Sequence, residues 1–103
     1  MATYTLTPQE IDFLHQAAGM AGDRLARQEN DLGTRVMETL IAHLETRPVS
    51  VQLNIAQREV LGKMLMNLAY DLLRGDQDMQ AEAAEALAER LFQEEDDEKG
   101  GTG

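Results

Sequence analysis

Apolar positions recur along most of the chain at helical spacing. Ile11, Leu14, Ala18, Ala21 and Leu25 follow one another in steps of three and four, which places them on one stripe of a 3.6-residue helix. Directly ahead stands Thr7-Pro8-Gln9-Glu10: a capping threonine, a proline suited to the first helical position and a glutamate able to complete a capping box. These signals predict a helix over about 8–29, and Ala17, Ala18 and Ala21, flanked by Gly19 and Gly22, let a second helix approach it closely. Leu32, Val36, Leu40, Ile41 and Leu44 make a second stripe, closed by Pro48 and opened by Asp31 as cap, and predict a helix over about 31–46. The apolar phase survives the junction, so one continuous helix of about forty residues is the alternative. A glycine beside Asn30-Asp31 is a weak helix interior and favours two helices.

After Pro48 the period changes. Val49, Val51, Leu53 and Ile55 alternate with Ser50, Gln52 and Asn54, the pattern of an extended segment with one buried face. No strand partner is read elsewhere in the chain, so the segment is expected to be a connection packed over the helices, or to pair with a second copy. Asn54, with Gln57 three residues on, caps a third helix over about 55–74 that Gly75 ends. Val60, Leu61, Met64, Leu65, Leu68, Ala69, Leu72 and Leu73 cover more than half of its circumference, and Met66 lies beyond that arc. One neighbour cannot bury so wide a surface. This helix is therefore expected at the centre of the fold, or against another subunit. A fourth helix over about 78–93 begins near Asp76 or Asp78 and carries Ala81, Ala84, Leu87, Ala88, Leu91 and Phe92 on one face and Glu82, Glu85 and Glu89 on another.

The prediction is an all-α domain, 1–93, built as a small antiparallel bundle of four helices, with a disordered acidic Gly-rich tail over 94–103. Its expected core includes Leu14, Ala18, Leu25, Val36, Leu40, Leu44, Leu61, Leu65, Leu68, Leu72, Leu87 and Leu91. A faint echo links Leu6 through Leu14 to Leu53 through Leu61, at an offset of 47: an entry leucine, a capping residue, and a leucine eight positions later. Duplication of a helix-helix half would produce it. So would the few available ways of starting a capped amphipathic helix, which is the plainer account.

Charge alters the picture only when divided by region. The chain carries a net charge of −10, yet residues 1–75 hold nine acids against seven bases, and residues 76–103 hold ten acids against two bases. The body is nearly neutral and the acidity belongs to the fourth helix and the tail. This balance argues against direct nucleic-acid binding, which needs clustered Lys and Arg. The absence of cysteine excludes disulfides and thiolate chemistry and suits a cytoplasmic location. No apolar run is long enough to span a membrane, and the first 20 residues lack the basic and apolar regions of a signal peptide.

Candidate chemistry is sparse. His15 and His43 flank apolar stripes, and Asp12-x-x-His15 lacks the second carboxylate–histidine pair that a di-iron bundle requires. Asp76-x-Asp78 fails as a calcium loop because Ala81 and Leu87 stand where glycine and a bidentate glutamate are needed. Ser50 is the only serine, and no Gly-rich phosphate loop occurs. Neither an enzyme, nor a metal, nor a cofactor is expected. The expected role is a non-catalytic protein–protein interaction module, a small regulator, inhibitor or assembly factor, acting as a homodimer or higher oligomer through an apolar helix face. Its candidate partner-binding residues are Met64, Met66, Tyr70 and Leu73, with Glu82, Glu85 and Glu89 beside them. One alternative is an acidic nucleic-acid mimic of the antirestriction or CRISPR-inhibitor type. Another is a structural component of a phage or secretion assembly.

Overall fold

A computed structural model describes residues 3–93 in full and the backbone alone of Ala2 and of 94–102; the disorder expected over 94–103 lies outside the fully described residues. The order of elements is β1 (Ala2–Thr5), α1 (Pro8–Arg27), α2 (Asp31–Glu45), β2 (Ser50–Leu53), α3 (Ile55–Arg74) and α4 (Asp78–Thr102). Four antiparallel helices make an all-α bundle, as the periodicity predicts, and a two-stranded ribbon crosses one end. Two helical hairpins, α1–α2 and α3–α4, meet through α1 and α3. The wide apolar arc of α3 is therefore covered largely inside the chain, between α1 and α4.

The ribbon corrects the reading of the extended segment. β2 pairs antiparallel with β1 of the same chain, Tyr4 opposite Val51 and Thr3 opposite Gln52, and the Leu6 N–H donates to the Val49 carbonyl at 2.9 Å. Ala2-Thr3-Tyr4-Thr5-Leu6 holds too few large apolar positions to reveal a period of two, which is why the partner strand escapes a sequence reading. Tyr4, Leu6, Val51 and Leu53 point from the ribbon into the core, and all are buried.

Local signals set the helix ends. Thr7 and Glu10 form a complete capping box on α1, and Asn54 and Gln57 form one on α3. α1 and α2 are separate, as the weak junction suggests, but Asn30 rather than Asp31 caps α2, its side chain accepting from the Gly33 N–H at 2.9 Å. Asp76 is likewise no cap. It takes φ 59°, the left-handed residue of the α3–α4 turn, while Gly75 keeps an ordinary φ of −91°. Val36, expected in the core, is exposed, as is Leu32 at the head of the same stripe, because α2 turns Met37, Leu40 and Leu44 inward.

The offset of 47 runs through the whole structure. α1 and α3 begin and end 47 residues apart, α2 and α4 begin 47 apart, and the two left-handed turn residues, Glu29 and Asp76, are separated by the same interval. Both turns close with the same three hydrogen bonds, Gln28 to Arg24, Glu29 to Ala26 and Asn30 to Leu25 in the first, Gly75 to Asp71, Asp76 to Leu73 and Gln77 to Leu72 in the second. Buried residues coincide too: Leu14 with Leu61, Ala18 with Leu65, Met37 with Ala84, Leu40 with Leu87, Leu44 with Leu91. Tyr4 and Val51 are equivalents that face each other directly across the ribbon, so a local dyad passes between them. Generic helix starts cannot place turns, strand register and core positions at one offset. The chain is two β-α-α halves related by a pseudo-two-fold axis.

Candidate docking face between α3 and α4

Met66, Ala69, Tyr70 and Leu73 recur at i, i+3, i+4 and i+7 along α3, so they share one face. That face meets α4 at Glu85, and the five residues line a shallow hollow of about 100 Å³. Tyr70 is 60% exposed and Leu73 46% exposed, large values for apolar side chains beside a closed core. On α4, Glu82, Glu85, Glu89 and Phe92 follow at steps of three and four, a second stripe running along the hollow. The three glutamates are exposed, and among the described residues none of them is ion-paired.

One turn before Met66, outside the hollow, α3 and α4 approach closely at a glycine. The Phe92 ring lies over Gly62, so close that a Cβ built there would stand 2.6 Å from the ring Cζ. Phe92 is 38% exposed and so belongs to the surface of this face as much as to the core for which its periodicity marks it. In a Phe92→Ala background, Gly62→Ala is expected to stabilise by about 1 kcal/mol, the helix-propensity gain alone. With Phe92 present the same substitution must displace the ring, and the gain is lost. A thermal double-mutant cycle measures this coupling; equal gains in both backgrounds would place the ring elsewhere.

Of the residues expected at the face, Met66, Tyr70, Leu73 and Glu85 come together, with Glu82 and Glu89 one turn to either side on the stripe of Glu85. Met64 does not. It is buried on the α1 side of α3, where it lines a separate hollow with Ala21, Arg24, Leu25, Gln28, Val60 and Lys63. A two-residue step along a helix turns the side chain by about 200°, so Met64 and Met66 cannot share a face. Ala69 also lines the hollow, although the sequence marks it only as part of the apolar arc of α3.

The first hairpin presents the same scaffold with different chemistry. The positions equivalent to Met66, Tyr70 and Leu73 hold Gly19, Asp23 and Ala26, and those equivalent to Glu82, Glu85 and Glu89 hold Arg35, Glu38 and Ala42. The Gly62–Phe92 contact is replaced by His15 and Glu45, whose Nε2 and Oε2 atoms are 3.6 Å apart. Elsewhere, Arg90 ties α4 to the other half, with Nη1 2.8 Å from Glu10 Oε2 and Nη2 donating to the Thr5 carbonyl. Among the described residues no group of three or more His, Asp or Glu side chains is placed to hold a metal, and no helix is long and apolar enough to cross a membrane. Comparison with protein-family models, curated proteins and solved structures finds no match to the chain.

Proposed function

We propose that this chain is a non-catalytic protein-binding module, working in the cytoplasm as a small regulator, inhibitor or assembly factor, and that it docks its partner on the α3–α4 face. One observation carries the reading: the difference between the two hairpins at equivalent positions. The first hairpin folds on this scaffold with Asp23 and Ala26, so packing does not demand the exposed Tyr70 and Leu73 in the second, whereas the half-buried Met66 also packs against the core. Exposed apolar side chains that the architecture does not need, gathered in a groove with a polar border, are what a docking surface requires.

The same comparison supplies the test. Tyr70→Asp with Leu73→Ala installs the residues of the first hairpin at exposed sites, and is expected to change stability by less than about 1 kcal/mol in urea denaturation. Immobilised wild-type chain should retain a protein from an extract of the native host that the double variant does not. Identical retention by the two, with both folded, would remove the face from the reading.

A further inference from the structure

Resting on the reading of the α3–α4 face as a docking surface, we infer the chemical class of its occupant: a basic amphipathic helix of another protein. Geometry sets the length. The hollow follows α3 from Met66 to Leu73, about 10 Å at 1.5 Å per residue, which two turns of helix would fill. Both walls are helices, and neither offers free backbone groups to an incoming strand. An extended peptide lying here would leave its own N–H and C=O groups unsatisfied, whereas a helix satisfies them internally and presents apolar anchors at i, i+3 or i+4, and i+7.

Charge selects the class of helix. Glu82, Glu85 and Glu89 border the groove along one side with no described cation against them. In the first hairpin the equivalent positions, Arg35, Glu38 and Ala42, carry no net charge, so the acidic border is particular to the half that also carries the apolar groove. Lysine or arginine flanking the anchors of a partner helix would pair with this border and orient the helix along it. A second copy of the chain fits poorly: in a two-fold contact that sets the helices antiparallel the glutamate rows would come together, like charge against like, and in either setting the second copy brings another acidic row and not a basic one.

Two synthetic peptides of about 18 residues test the inference, sharing one leucine stripe, with lysine on the flanks of the first and glutamate on those of the second. Binding to the full chain is followed by fluorescence anisotropy at low and high ionic strength, alongside sedimentation of the chain alone. The lysine peptide should bind at least about tenfold more tightly than the glutamate peptide, and less so at high salt. Glu82→Lys, Glu85→Lys and Glu89→Lys combined should invert that preference. Tyr70→Asp with Leu73→Ala should weaken the lysine peptide at least about tenfold even though it adds a negative charge, which separates groove binding from diffuse attraction.

Equal binding of the two peptides, lost in the Tyr70→Asp/Leu73→Ala variant, would overturn the basic class and leave the docking face standing. Lysine-peptide binding indifferent to that variant would overturn both. A dimer that the variant dissociates would make a second copy the occupant and overturn the inference. Binding of neither peptide would also overturn it, and the retention experiment on host extract then decides separately whether the face is used.

Discussion

Shortening Tyr4 to alanine is expected to lower stability by about 3–5 kcal/mol, the cost of truncating a fully buried aromatic ring. The side chain is 1% exposed, and it lies on the strand whose pairing brings the two halves together at the dyad. A two-stranded ribbon has little stability of its own, so β1 and β2 persist because Tyr4, Leu6, Val51 and Leu53 are packed on the helices. Tyr4→Phe separates ring from hydroxyl. The hydroxyl accepts from the buried Arg58 Nη1 at 3.4 Å, and its removal should cost about 1 kcal/mol of the larger figure. Urea denaturation followed by circular dichroism measures both variants. A Tyr4→Ala loss below about 1 kcal/mol would mean that the ribbon lies outside the cooperative unit.

Leu14→Ala and Leu61→Ala, equivalent substitutions in the two halves, should each cost about 2–5 kcal/mol, a large share of the 5–15 kcal/mol typical of a domain. Both side chains are fully buried in the one cluster that spans α1 and α3. The sharper expectation concerns cooperativity. Each single variant should melt in one transition that takes all four helices together, although the damage lies in one half. Residue-resolved amide exchange would test this: protection in α3 and α4 that survives Leu14→Ala unchanged would show two independent hairpins. The combined variant is expected to be unfolded at 25 °C.

Helix starts were legible because a capping box is a local device, four residues long, that needs no knowledge of the fold. The α1–α2 turn was harder. Asn30 and Asp31 are both good caps, and the choice depends on Glu29 adopting φ 58°, which tertiary packing and the turn's hydrogen bonds decide. Periodicity marks a helix face without saying what covers it, which is why it assigns Val36 to the core and Met64 to the docking face. Tyr70 and Leu73 stood out because they lie at the edge of an arc already too wide for one neighbour. The duplication stayed faint because equivalent positions preserve contacts through unlike chemistry, His15 with Glu45 in one half and Phe92 over Gly62 in the other. Equally, Ile11 and Arg58 are equivalent and both buried, yet no alignment of residue types would pair them.

The local dyad between Tyr4 and Val51 also fixes valency. Two identical half-length subunits arranged about the same axis would present two copies of any surface they carried, and could bridge two partners. Joined in one chain, the halves are free to differ: one keeps Gly19, Asp23 and Ala26, the other bears Met66, Tyr70 and Leu73. Under the docking role proposed above, a single protomer would carry one such face on a symmetric frame and would occupy a partner one to one without crosslinking it.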